Sequence, residues 1–230
     1  MYTVRAATRA EVARIAAMHA ERITEGFLPT LGVGFLERLY ARVVRSPQSF
    51  AIVAVEHGEV VGFVAGTEHL GRLYRTFIVR DGVRATFAVG PRLLRSLRRI
   101  WETLRYPAVA EHHSLPSAEI LAVATDASCG GRGIGRALVQ AALVEFDRRS
   151  VGAVKVVAAV HNGAAESLYR GAGFDEHHDL SVHGAVASRA YVRAHAVAPA
   201  APATGTAGSA TGTAGSATGR AESSRRGVRA

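Results

Sequence analysis

The chain has 230 residues, 48% of them hydrophobic, and carries 28 basic against 19 acidic side chains for a formal net charge of +9. That length and apolar content suit one globular domain able to bury a core, and the single cysteine, Cys129, excludes an internal disulfide and a cysteine-held zinc site. No apolar run approaches the ~18 residues of a membrane span, and Arg5, Arg9, Glu11 and Arg14 interrupt the first twenty residues, so a cytoplasmic protein with neither span nor secretory leader is expected.

Residues 2–6 read as a short strand. Thr8 and Glu11 have the spacing of a capping box, and Val12, Ile15, Ala16, Met18 and Ile23 give the first helix its apolar stripe. Phe27-Leu28-Pro29 ends that helix. A second helix carries Phe35, Leu36, Leu39, Tyr40, Val43 and Val44 on one face. Residues 50–55, the turn Glu56-His57-Gly58-Glu59 and residues 60–67 make a hairpin. Residues 69–117 form an insert. Within it Pro91 suits a helix start, and Leu93, Leu94, Leu97, Ile100, Trp101 and Leu104 share a face. The insert holds nine arginines against Asp81, Glu102 and Glu111, a net +6. Lys155 is the only lysine of the chain.

Residues 119–125 are a buried-strand pattern, followed by a glycine cluster and a long helix over 133–149. Residues 153–160 form a second buried strand, and 164–172 a short helix ending at Gly173. A last hairpin over 174–183 and 187–193 turns at Gly184. His177, His178, Asp179 and His183 fall on this hairpin, where alternation separates neighbouring side chains. A solvated or substrate-facing hairpin is the reading there, and no metal is expected. From Ala196 onward the chain is almost all Ala, Gly, Ser, Thr, Pro and Arg, and the heptapeptide ATGTAGS at 203–209 recurs at 210–216. Such a segment buries too little apolar surface to offset its ordering entropy. The expected organisation is a domain over 1–195 and a disordered tail over 196–230. Helices packed on one mixed sheet, an α/β (α+β) architecture, would satisfy the order of elements.

The run Cys129-Gly130-Gly131-Arg132-Gly133-Ile134-Gly135-Arg136-Ala137-Leu138 lies between a buried strand and a long helix. Glycines let the backbone approach a ligand and turn several N–H groups into one space, and the helix start adds a partial positive charge. A phosphate or diphosphate site is expected. A P-loop would need Lys and then Ser or Thr after the last glycine, where Arg136 and Ala137 stand. A dinucleotide fingerprint fails at Arg136 or at Leu138. The third reading is the diphosphate loop of an acyl-coenzyme A transferase, and it fits.

On these residues the chain resembles the GCN5-related N-acetyltransferase (GNAT) family, most specifically over 120–174 and more broadly over 1–195. The family's loop, Gln/Arg-x-x-Gly-x-Gly/Ala, then a small residue and a leucine, is matched by Gly133, Gly135, Ala137 and Leu138, with Gly130 in place of the Gln or Arg. Downstream, Asn162, Ala165, Leu168-Tyr169 and Gly173-Phe174 stand at the family's spacing, and the hairpin strand ending Val60-Val61-Gly62-Phe63-Val64-Ala65-Gly66 is similar to the family's. The resemblance implies a mixed, mostly antiparallel central sheet flanked by helices, with a helical insert before the central strand. It implies acetyl transfer from acetyl-CoA to a primary amine by direct attack in a ternary complex.

The same resemblance implies the site. The backbone of Val123, Ala124 and Thr125 would pair with pantetheine as an added strand edge. Gly130, Gly131, Arg132, Gly133, Ile134, Gly135 and Arg136 would hold the phosphates, and Asn162 would bond the pantetheine arm or cap its helix. Tyr169 is the acid for the departing thiolate. Glu119, six residues before Thr125 and on the same face by period-two alternation, is the candidate base, with ordered water as the alternative. Val157 occupies the other position at which members carry a glutamate. Cys129 is not needed as a nucleophile. The arginine-rich insert would favour an acceptor with phosphate or carboxylate, against the plainer reading of a solvated helix face. Monomer and homodimer both stay open. Two further readings are a basic nucleic-acid- or ribosome-associated module, disfavoured because the insert lacks interleaved exposed aromatics, and a coenzyme A-binding member without catalysis.

Overall fold

The computed structural model describes residues 1–24, 28–77, 79–80, 115–180 and 188–194. The expected tail, the Pro91 helix and the turn at Gly184 lie outside the described residues. Seven strands form one sheet: β1 (Thr3–Ala6), β2 (Ser49–Glu56), β3 (Glu59–Thr67), β4 (Ala118–Thr125), β5 (Ala153–Ala159), β6 (Asp175–Leu180) and β7 (Ser188–Ala194). Their order is β1-β2-β3-β4-β5-β7-β6. Every neighbouring pair is antiparallel except β4 with β5. This is the mixed, mostly antiparallel α/β sheet that the sequence implies.

Five α-helices are described: α1 (Val12–Arg22), α2 (Val33–Arg45), α3 (Leu70–Phe77), α4 (Ile134–Arg148) and α5 (Gly163–Gly171). α1 and α2 lay Ile15, Ala16, Met18, Leu36, Tyr40 and Val43 on one face of the sheet, against Ala51, Val53, Phe63 and Ala65. α4 lays Ile134, Leu138, Leu143 and Phe146 on the other, against Ile52, Ala54, Val64 and Val156. β2 and β3 are near-continuous apolar runs because helices cover both faces. Two glycines of β3 let α4 come close. A Cβ at Gly66 would stand 2.5 Å from the Phe50 ring and 2.9 Å from Phe146, and one at Gly62 3.0 Å from Leu138 Cδ1.

The β3–β4 register shifts once. Ala65 pairs with Ala122 but Gly66 pairs with Ile120, so Leu121 is one residue too many on β4, a β-bulge. Side-chain alternation slips there by one. Ala118 and Ile120 belong to the core under α4, whereas Ala122 and Ala124 belong to the core under α1 and α2. This corrects the expectation that Glu119 and Thr125 share a face. Glu119, between Ala118 and Ile120, faces the α1–α2 side. Thr125 faces α4, its Cγ2 4.0 Å from where a Cβ of Gly135 would be.

Candidate active site

The parallel pairing of β4 and β5 covers only Ala118↔Val154, Glu119↔Lys155 and Ile120↔Val156. β4 continues to Thr125 and β5 to Ala159 without further pairing to one another. The two strands therefore part at the centre of the sheet. The N–H of Asp126 donates to Val61 O at 2.9 Å. Since antiparallel backbone alternates its bonding side, Ala124 faces β3, while Val123 and Thr125 turn their N–H and C=O into the gap. Of the three residues expected to edge pantetheine, these two supply open backbone. The Thr125 carbonyl accepts from Arg22 Nε at 3.1 Å.

The glycine loop closes one end of the gap. Asp126 accepts the Ser128 N–H at 3.0 Å and its hydroxyl at 2.8 Å, fixing a short 3-10 turn over Ala127–Cys129. Gly131 and Gly133 follow with φ of 73° and 76°, left-handed values that favour glycine. α4 begins with the N–H of Ala137 bonded to Gly133 O at 3.0 Å. Among the described residues no backbone N–H from Gly130 to Arg136 has an acceptor. Unpaired donors gathered at a helix start are an arrangement able to hold an anion.

The two loop arginines differ. Arg136 is exposed and has no partner among the described residues. Arg132 forks onto Glu56 at 2.6 and 2.8 Å, and also reaches Cys129 Sγ at 3.5 Å. Glu56 takes the Met1 ammonium at 3.0 Å as well. Hydrogen bonds from Arg132 and then from the N-terminus pull the Glu56 carboxyl down to about 2. Arg132 thus brings its backbone N–H to the loop while its guanidinium is held elsewhere. Cys129 is buried in the core under α4.

Asn162 caps α5, its Oδ1 accepting from Ala165 N–H at 3.0 Å. Tyr169 on α5 packs against the rings of Phe174 and Tyr191, at centroid distances of 5.9 and 6.0 Å. Burial, and then Tyr191, push its phenol up, so it stays protonated at neutral pH. Its hydroxyl has no hydrogen-bond partner among the described residues.

Glu119 lies on the opposite face. Its Oε2 is 3.2 Å from Lys155 Nζ, and both side chains are nearly buried, at 14% and 13% exposure. Burial pushes the carboxyl up and Lys155 partly offsets this. On the same face, His19 of α1 is 2% exposed, with Nδ1 2.6 Å from the Tyr40 hydroxyl. Its Nε2 is buried without a partner among the described residues, and burial lowers the ring to about 4.

Arg22, Glu56 and the partnership of Lys155 were not legible as site features in the sequence. Only Lys155 left a signal, as the one charge interrupting an apolar strand. Among the described residues no group of three or more His, Cys, Asp or Glu could hold a metal ion, and no described helix is long and apolar enough to cross a membrane.

The acetyltransferase (GNAT) family model matches residues 18–174. No curated protein matches the sequence. Among solved structures, the ribosomal-protein-S18-alanine N-acetyltransferase of Escherichia coli superposes with a TM-score of 0.53 at 15% identity, over 88% of this chain and 98% of its own. A putative acetyltransferase of Salmonella typhimurium, solved with its cofactor acetyl-CoA, gives a TM-score of 0.56 at 18% identity, over 87% and 99%. A spermidine N-acetyltransferase of Vibrio cholerae, as a point mutant, gives 0.53 at 17% identity, over 84% and 93%.

Proposed function

The chain belongs to the acetyltransferase (GNAT) family, and from that premise we propose that it moves an acetyl group from acetyl-CoA to a primary amine by direct attack in a ternary complex. The observation that carries this reading is the parting of β4 from β5 beside a loop of unpaired backbone donors. The N–H groups of Gly130 to Arg136, with the Arg136 side chain, fit an anionic diphosphate. The open backbone of Val123 and Thr125 fits an amide-bearing arm laid along the strand. For the Thr125 carbonyl to serve, Arg22 gives up its bond there. Asn162 keeps its side-chain nitrogen for the same arm.

Bound acetyl-CoA would supply the acetyl group as an activated thioester. The protein's own groups manage the protons. Glu119, facing the α1–α2 side, takes one from the acceptor's ammonium, directly or through water. Tyr169, on the α4–α5 side, gives one to the departing thiolate. Its raised pKa keeps the phenol protonated at neutral pH, and it recovers a proton from the second N–H that the nitrogen sheds as the amide forms. Acid and base stand on opposite faces of the sheet, so donor and acceptor approach from opposite sides of the cleft. Cys129, buried in the core, has no step in this scheme.

The test is a thermal melt with acetyl-CoA followed by thiol release against a panel of amines, with polyamines and alanine-ended peptides among them. A melting shift with acetyl-CoA and amine-dependent thiol release are expected. No shift with acetyl-CoA, or a shift only with oligonucleotide that is lost at moderate salt, would overturn the reading.

A further inference from the structure

Lys155 is the one lysine among 28 basic residues, and the fold all but buries it. Val154 and Val156 on either side belong to the core under α4, so alternation turns Lys155 to the other face, with Glu119. The parallel register sets the two side by side, one pair before the strands part. Nζ lies 3.2 Å from Glu119 Oε2 and donates to the Pro116 carbonyl at 2.5 Å. Lys155 therefore ties the base candidate to the chain entering β4, at the vertex of the cleft.

The other neighbours of Glu119 do not compete for it. Thr67, its register partner on β3, donates its hydroxyl to Gln48 O at 3.2 Å and accepts from Ser49 at 3.0 Å. Tyr74 of α3 faces Glu119 with a phenol that burial and that carboxylate push up, so it is neutral. Among the described residues Lys155 is the positive charge that Glu119 meets. A buried carboxylate without a cation takes up a proton, and a protonated carboxyl cannot act as a base.

We propose that Lys155 is a positioning residue for acetyl transfer, holding Glu119 ionised and fixed at the point where β4 leaves β5. This rests on the reading of Glu119 as the base. The experiment is the pH profile of kcat for the full chain and for Lys155→Met, Lys155→Arg and Glu119→Gln, with the melting shift on acetyl-CoA as the control for fold. Lys155→Met is expected to move the acid limb up by roughly one pH unit or more. It should lower kcat at neutral pH about ten-fold, recover in part at alkaline pH, and leave KM for acetyl-CoA close to the parent's. Lys155→Arg keeps the charge and should hold the limb near its original place.

An unmoved acid limb in Lys155→Met that still binds acetyl-CoA overturns the proposal. If that variant does not fold, Lys155→Gln, neutral but able to donate to Pro116, reads the same limb with the same two outcomes. Glu119→Gln separates the failures. Parent-like turnover there removes the base assignment itself and Lys155's role with it. Lost turnover there with an unmoved limb in Lys155→Met removes only the role of Lys155.

Discussion

The two ends of β4 use polar groups in opposite ways. Past its C-terminal end, the loop from Gly130 to Arg136 leaves backbone N–H groups without acceptors among the described residues. At its N-terminal end, Glu119 and Lys155 are charged side chains closed on one another and on Pro116. The difference matches what each end is proposed to hold. An anionic ligand needs donors that are fixed but unpaired, and backbone at a helix start provides them without any buried charge. A proton acceptor inside a sheet needs a charge, and a buried charge is stable only with a partner.

Tyr169→Phe strikes neither end but the proposed acid on α5, and should have the largest effect. Removing the phenolic proton is expected to lower kcat about 100-fold, within the usual range for a general acid, while the melting shift with acetyl-CoA persists. A variant with unchanged turnover would take Tyr169 out of the mechanism.

Gly133→Val acts at the open end. A β-branched residue at a φ of 76° strains the start of α4 and turns the loop's donors. A loss of about ten-fold in acetyl-CoA affinity, roughly 1.4 kcal/mol, is expected, with kcat at saturation changed far less. Calorimetric titration checks this, and unaltered affinity would show that the loop is not the anion site.

The two loop arginines sharpen the contrast further. Arg136→Ala should weaken acetyl-CoA binding a few-fold and make it less sensitive to salt. Arg132→Ala should change binding less, because its guanidinium is already on Glu56. Equal losses from both would mean that Arg132 leaves Glu56 when ligand binds.

The last effect belongs to neither end and is read in stability rather than in turnover or binding. His19 lies under α1, and burial lowers its ring to about 4 from an ordinary 6.5. The unfolded ring takes its proton near 6.5 and the folded one only near 4, so acid favours unfolding. Its share of stability is intact above pH 6.5 and is lost as pH falls toward 4, at no more than about 1.4 kcal/mol per pH unit. Melts at pH 7 and pH 5 should show a steeper loss for the parent than for His19→Leu. Equal losses would place the acid sensitivity elsewhere.

The sequence made the open end of β4 legible and the closed end only in part. Glycines at 131, 133 and 135 beside a helical period mark the turn and its row of backbone donors locally, because those donors belong to the backbone itself. Most strand and helix boundaries came within a residue or two, since both faces of the sheet are covered and the apolar runs are clear, but α1 stops at Arg22, short of Phe27-Leu28-Pro29, and α3 over Leu70–Phe77 is not among the expected helices. The facing of Glu119 did not follow from alternation, because one bulged residue, Leu121, reverses the parity and nothing in EILAVAT marks it. The fork of Arg132 onto Glu56 spans 76 positions, a tertiary pairing that no local pattern encodes.

The burial of Lys155 also fixes the chain's own inventory of amines. Apart from that side chain, at 13% exposure, the described residues offer one primary amine, the fully exposed N-terminus of Met1 on Glu56. A protein proposed to acetylate amines therefore presents almost none of its own to the thioester. Within these 230 residues amine-directed labels and cross-linkers find one lysine, nearly buried, and leave the 27 arginines untouched.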